Sequence, residues 1–160
     1  MKINYWLEKW ILMEKIKNYK KQAKYAELME RLGKSLKEEF YYEAIFIEFA
    51  IFEDRTSSLL RHAGISTLDE DDQELGLHAK IKLIKRHDMF RNDYVEKHEL
   101  FSILDEVDKW RRTRNDLMHA LADEESSIDD VRKFAVQGDI LVTKLNNKSR
   151  LVNNHNDSLK

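Results

Sequence analysis

The chain contains no proline and only four glycines among its 160 residues. Proline removes a backbone donor and kinks a helix, and glycine is the next least favourable residue inside one. A chain with so few of either can form long uninterrupted helices, whereas sharply turned β structure is disfavoured. We therefore predict an all-α protein, an up-and-down bundle of about five helices whose short connections make neighbours antiparallel.

Apolar residues recur at helical spacing in several stretches of the chain. We expect Gly33 to close the first helix, Ser35 to cap the second and Gly64 to end it. Residues 1–146 form a single predicted domain, and the polar composition of 147–160 predicts a flexible tail. The predicted helices cover 4–32, 36–62, 75–86, 96–121 and 128–146, with a turn at 123–127 before the last one.

Composition excludes several classes of protein and site. The absence of cysteine rules out disulfides, a thiol nucleophile and a zinc site built on sulfur. The most apolar run, residues 44–52, contains Glu48 and is far shorter than the roughly 20 residues of a membrane span. Charges break up the N-terminal stretch too often for a signal peptide. We expect a cytoplasmic protein without membrane contact.

The charge is unevenly distributed. The formal net charge is −2, which does not favour nucleic-acid binding by bulk charge. Residues 1–37 nevertheless carry ten Lys or Arg against four Glu. Such a run is more often a solvated helix face than a nucleic-acid contact, and we interpret it as a solvated face.

Arg114 lies in the middle of an apolar helix face. Burying an unpaired guanidinium is costly, so a folded chain keeps one there only with partners or a use. Stepping about 100° per residue places seven apolar residues within roughly 60° of Arg114. They are Leu100, Ile103, Val107, Trp110, Leu117, Met118 and Leu121.

Asn115 and His119 lie on the adjoining face, four residues apart. Histidine transfers protons near neutral pH, and arginine stabilises charge that develops on a phosphate, so the group can handle phosphate chemistry without a metal. Arg114 and His119 are about 140° apart on a helix, so a two-fold axis would be needed to bring both to one phosphate. The alternative to a phosphate site is a structural role. Arg114 would then be neutralised by a carboxylate, and a positive charge on His119 would be stabilised by the C-terminus of its helix.

Two acids flank the apolar seam of the second predicted helix. Glu53 is our first choice of partner for Arg114 or His119, and Glu48 is the second; ordinary salt bridging is the alternative reading. Arg111 and Arg112 fit surface or RNA-backbone charges. The sequence contains no metal-ligand spacing of His and carboxylates, and we predict neither metal nor cofactor.

The sequence resembles the HEPN superfamily (higher eukaryotes and prokaryotes nucleotide-binding domains) over roughly residues 36–146. That family's motif is an arginine, commonly followed by asparagine, with a histidine four to six residues later. The stretch Arg-Asn-Asp-Leu-Met-His at 114–119 is similar to it, and so are the flanking residues 109–113. Glu-Phe-Ala-Ile-Phe-Glu-Asp-Arg at 48–55 looks like the family's other conserved helix, which often carries an acid directed at the site.

The resemblance implies an all-α bundle that dimerises with its motif helices face to face. It also implies a metal-independent endoribonuclease that cleaves single-stranded RNA to a 2′,3′-cyclic phosphate, acting as a toxin or antiphage effector, with a cognate antitoxin as a partner of a toxin. Arg114, His119 and Asn115 would be catalytic, in a composite site at the homodimer interface. The alternative is a non-catalytic HEPN-like dimer that binds a protein partner or a nucleotide.

Overall fold

Helices make up almost the whole of the described chain. The structure, a computed structural model, describes residues 2–120 and 127–160, and their side chains except at 2–10, 14–16 and 18. These residues contain no named strand, only an isolated bridge between Leu68 and Glu74. The all-α prediction is confirmed. The elements are α1 (Lys2–Lys37), α2 (Tyr41–His62), α3 (Leu77–Arg86), a 3₁₀ turn (Asp88–Phe90), α4 (Asp93–Lys97), α5 (Leu100–Ala120) and α6 (Ile128–Ser158).

The four long helices alternate in direction along the chain, as in an up-and-down bundle. Helices α1 and α2 are antiparallel, α5 and α6 are antiparallel, and α2 and α6 run parallel. The pairs that fix these directions are Lys21–Asp54 and Arg31–Glu43, Trp110–Phe134 and Glu106–Lys144, and Ser58–Asn153 and His62–Asp157.

Helix α2 is the centre of the bundle and packs against α1, α3, α5 and α6. Trp110 of α5 is only 2% exposed. Its ring meets Phe52 of α2 edge-on at 5.0 Å between centroids and stacks on Phe134 of α6 at 4.9 Å. Aromatic pairs of this kind add about 0.5–1.5 kcal/mol beyond their buried area. They fix the C-terminal half of α5, which carries the predicted site, against α2 and α6.

The first helix ends later than predicted. Gly33 lies inside α1, and Ser35 is 3% exposed near its C-terminal end rather than capping α2. Leu32 is also buried, so packing outweighs the roughly 1 kcal/mol that an internal glycine costs. The chain turns instead at Glu39, whose φ of 62° is left-handed. Gly64, with φ of 76°, follows the end of α2 as predicted.

The predicted flexible tail at 147–160 is wrong in secondary structure, because α6 continues to Ser158. Val152 is fully buried, and so is Asn156. Asn153 Nδ2 donates a hydrogen bond to Ser58 Oγ of α2 at 3.1 Å. Two of the polar side chains in this segment contact α2, because Asp157 also lies 2.7 Å from His62 Nδ1.

Some predictions concern residues next to or within the segment 121–126, which the structure does not describe. The predicted turn at 123–127 and Leu121 lie outside the described residues, apart from Ser127. The Ser127 hydroxyl accepts a hydrogen bond from Asp130 N at 3.2 Å and so caps α6. Among the described helices, none combines the length and apolar character that a membrane crossing needs.

Candidate catalytic site

Arg114 lies half-buried on the last turns of α5, above an aromatic ring of α2. Its guanidinium carbon is 4.6 Å from the centroid of the Phe49 ring. A cation held over an aromatic face is attracted by the ring quadrupole, by about 0.5–1 kcal/mol at exposed sites and more where water is excluded. Leu117 and Met118 pack partly against the core beside it. Arg114 therefore lies among apolar side chains, with Phe49 as its packing partner.

The Arg114 guanidinium is not neutralised by any described carboxylate. Its Nη1 donates a hydrogen bond to Asn115 Oδ1 at 3.3 Å, and its Nε is buried without a hydrogen-bond partner among the described residues. No salt bridge within the 4.0 Å limit involves it in that part of the chain. The polar contact of Arg114 within the described part of the chain is thus with a neutral amide.

His119 lies one turn further along α5 and is exposed, while Asn115 is half-buried. No hydrogen bond joins His119 to Arg114 or to Asn115. One chain therefore brings Arg114 and Asn115 into contact and leaves His119 apart from them. This agrees with the 140° separation expected on one helix. His119 is the basic residue of the last turn of α5, where the helix dipole favours positive charge.

Arg111 and Arg112 both lie near Asp108 on the preceding turn of α5. Arg111 Nε donates to Asp108 Oδ1 at 2.9 Å, and Arg112 Nε lies 3.7 Å from Oδ2. Burial alone would raise the pKa of Asp108, but hydrogen bonds from Arg111 and His78 hold that pKa below its usual value. Arg111 is mostly buried against Asp108, whereas the Arg112 side chain is 65% exposed. Only Arg112 is open enough to meet an RNA backbone without rearrangement.

Glu53 does not pair with Arg114 or His119, so that prediction is wrong. Its Oε1 accepts a hydrogen bond from Leu77 N at 2.8 Å, and its Oε2 accepts one from Lys80 Nζ at 2.7 Å. Lys80 is 2% exposed and also lies 3.0 Å from Glu74 Oε1. Glu53 thus satisfies the first turn of α3 and neutralises a buried lysine there. The sequence could not show this, because it does not reveal which helix packs on that face of α2.

Glu48 does not pair with Arg114 either. It is fully buried, and neither carboxyl oxygen has a hydrogen-bond partner among the described residues. Burial, with a smaller contribution from nearby Asp139, raises the pKa of Glu48 to about 9. A carboxyl group with such a pKa is protonated and neutral at pH 7. Both acids that the sequence offered as support for the site therefore act elsewhere.

Gly138 of α6 makes room for the buried Glu48 carboxyl group. A Cβ at position 138 would lie 2.0 Å from Glu48 Oε2 and 2.9 Å from Trp110 Nε1. Trp110 Nε1 is likewise buried without a hydrogen-bond partner among the described residues. Gly138 thus marks the close approach of α6 to α2 at Glu48.

Comparison with family models, curated proteins and solved structures finds no match to this chain. Within the described residues, no group of three or more His, Asp or Glu side chains is placed to hold a metal ion. The assignment to the HEPN superfamily therefore stays a prediction that depends on the motif at 114–119 and on the helix order.

Proposed function

We propose that this protein is a metal-independent endoribonuclease of the HEPN type that cleaves single-stranded RNA, acting as a toxin or antiphage effector. The observation that carries the proposal is the position of Arg114. Its guanidinium is half-buried over Phe49, and its hydrogen-bond partner is Asn115 rather than either of the two acids available on α2. A positive charge kept in an apolar seam, with no carboxylate beside it among residues 2–120 and 127–160, is suited to an anionic substrate.

The chemistry assigns one role to each residue. The 2′-hydroxyl oxygen of the RNA attacks the adjacent phosphorus, the bond to the 5′-oxygen breaks, and the products are a 2′,3′-cyclic phosphate and a 5′-hydroxyl. One imidazole takes the 2′-hydroxyl proton, and a protonated one gives a proton to the leaving 5′-oxygen. Arg114 stabilises the charge that develops on the phosphate, and Asn115 holds the Arg114 guanidinium or a phosphate oxygen.

A homodimer supplies the second imidazole. On one chain, His119 and Arg114 point in different directions, so we propose that two α5 helices face each other across a two-fold axis. Phe46 supports this arrangement because it lies one turn before Phe49 on α2 and is 65% exposed. It offers apolar surface near Arg114 to a second copy. A cognate antitoxin, if the protein is a toxin, would be expected to cover the same site.

Cleavage of a labelled single-stranded RNA in the presence of a chelator tests the proposal. We expect His119→Ala to reduce the rate by about 10²–10⁴-fold, as for loss of a general acid–base group, and Arg114→Ala by about 10²–10³-fold. Light scattering and circular dichroism should show that both variants keep the oligomeric state and helix content of the wild type. The products should carry a cyclic phosphate.

Matched controls come from residues of the same type elsewhere. Arg86 is exposed at the end of α3 and His98 lies after α4, so Arg86→Ala and His98→Ala should cleave at the wild-type rate. Undiminished cleavage by His119→Ala would rule out its catalytic role. A wild type that dimerises but cuts no RNA would select the non-catalytic HEPN-like dimer instead.

A further inference from the structure

A second concave region lies on a different part of the bundle. It is a groove of about 970 Å³ between α1, α2 and α6, and it shares no lining residue with the Arg114–Phe49 contact. Six Lys or Arg side chains line it, and we call it the basic groove. They are Lys17 and Lys21 of α1, Arg55 and Arg61 of α2, and Arg150 and Lys160, on and just after α6.

Positive charge exceeds negative charge in the basic groove. Asp157 is the one carboxylate among its lining residues, and it lies 2.7 Å from His62 Nδ1 and 3.2 Å from Lys160 Nζ. Asp54, next to the groove, is shared by several cations: Lys21 Nζ is 3.4 Å away, and Arg61 Nη2 is 3.9 Å away. Among the described side chains, two carboxylates therefore lie beside six cations, and the surplus positive charge attracts anions.

The cations on the α1 and α2 sides are close enough to influence one another. Burial lowers the pKa of Lys21; Arg61 and Arg55 lower it further, against the opposing effect of Asp54. Arg55 is held in place, because its side chain is 17% exposed, its Nε donates to Asp54 Oδ2 at 3.1 Å, and its guanidinium carbon lies 4.1 Å from the Tyr25 ring centroid. The arginine is thus preorganised rather than mobile on the surface.

The floor of the basic groove contains polar atoms without partners. The Tyr25 hydroxyl and Asn153 Oδ1 are buried and have no hydrogen-bond partner among the described residues. Asn153 is 7% exposed and is oriented by the hydrogen bond that it donates to Ser58. Both residues line the groove, so polar side chains lie next to its cations.

We propose that the basic groove binds a small ligand that carries a chain of phosphates. Its volume is within the range of small-molecule sites, roughly 300–1,000 Å³, and exceeds what a single phosphate would fill. Its cations come from three helices instead of one helix face, so a polyanion in the groove meets positive charge from more than one side. The proposal does not depend on the ribonuclease activity, because none of the groove residues belongs to the catalytic proposal.

Calorimetric titration of the purified full chain with inorganic tripolyphosphate, with ATP and with a ten-nucleotide single-stranded RNA tests this. We expect tripolyphosphate and ATP to bind one per chain. The double variant Arg61→Ser/Arg150→Ser removes two exposed groove cations and should raise both dissociation constants at least about tenfold. The control Lys82→Ser/Arg86→Ser removes two exposed cations of α3 and should leave the constants unchanged.

Each outcome is informative. Equal binding of tripolyphosphate and ATP means that the phosphate chain alone is recognised; tighter binding of ATP means that Asn153 and Ser58 also contact the nucleoside. Asn153→Asp adds a negative charge to the groove floor and should weaken both ligands, with the fold checked by circular dichroism. The proposal is overturned if neither ligand binds, if both double variants bind like wild type, or if only the RNA binds and does so through the groove cations.

Discussion

Glu48 and Glu53 lie five residues apart on α2, and the bundle accommodates their two carboxyl groups in opposite ways. Glu53 faces α3 and accepts hydrogen bonds from Lys80 and from the backbone of Leu77. Glu48 faces α5 and α6, has no hydrogen bond from the described residues, and has a pKa of about 9. One carboxyl group is paired with a buried lysine, and the other is buried without an ion pair among the described residues.

The difference follows from what each neighbouring helix presents. Helix α3 offers a lysine and a free backbone N–H at its first turn, which together offset the cost of removing a carboxylate from water. Helices α5 and α6 offer Trp110, Phe134 and the backbone at Gly138, which cannot neutralise a charge. Protonation then costs less than burying the carboxylate anion. The four predictions below test this contrast from the largest expected effect to the smallest.

Lys80→Met should be the most destabilising change, because it leaves Glu53 and Glu74 facing each other without their shared cation. Removing one partner of a buried pair costs about 3–5 kcal/mol; because the Glu53 side chain is 26% exposed and that of Glu74 51%, we expect a loss of about 3 kcal/mol. Urea unfolding at pH 7 measures the loss, and Lys82→Met, an exposed lysine of the same helix, is the control. A loss below about 1 kcal/mol would mean that Glu53 is not dependent on Lys80.

Glu48→Gln should change how stability depends on pH. The pKa of Glu48 in the folded protein is raised from 4.5 to about 9. The contribution of Glu48 to the free energy of unfolding is therefore fully present below pH 4.5 and is lost as the pH rises toward 9. The loss amounts to about 1.4 kcal/mol per pH unit, or roughly 2–3 kcal/mol between pH 5 and pH 7. Glutamine cannot ionise. The free energy of unfolding of the variant, relative to that of the wild type, should therefore rise by that amount between pH 5 and pH 7.

Unfolding at pH 5, 7 and 9 measures that gain, with the exposed Glu38→Gln as a control that should follow the wild type. Parallel pH profiles for Glu48→Gln and the wild type would show that Glu48 is charged in the folded protein. In that case the contrast with Glu53 would disappear.

Gly138→Ala should be destabilising although alanine is the better helix former by about 1 kcal/mol. The new methyl carbon would lie 2.0 Å from Glu48 Oε2 and 2.5 Å from Glu48 Cδ, so the acid or α6 must move. Overpacking of this kind typically costs about 1–3 kcal/mol, which leaves a net loss of about 1 kcal/mol. Gly33→Ala is the matched control, because nothing lies within 4 Å of its Cβ position. Thermal unfolding should move in opposite directions for the two variants.

The sequence predicted the helical architecture well and the long-range contacts poorly. The scarcity of proline and glycine and the apolar spacing depend on local geometry, so they predicted α2, α5 and the seam position of Arg114. The later end of α1 and the helical segment 147–158 involve polar residues that are buried, Ser35 and Asn156. A polar composition predicts exposed residues, so it gave the wrong structure at both places. The surroundings of Glu48 and Glu53 depend on which helix covers each face of α2. Helical spacing in a single sequence does not predict which helices pack together.

Phe49→Leu should have the smallest effect and tests the connection between α2 and the proposed catalytic arginine. Leucine keeps apolar bulk under Arg114 but removes the ring 4.6 Å from its guanidinium carbon. In a double-mutant cycle with Arg114→Met, the coupling energy should be about 0.5–1 kcal/mol, measured by urea unfolding. Phe46→Leu, the exposed aromatic one turn earlier, should show no coupling to Arg114 unless a second copy brings the two together. Because that exception exists only in a dimer, repeating the cycle across a range of protein concentrations separates a contact within one chain from a contact between two.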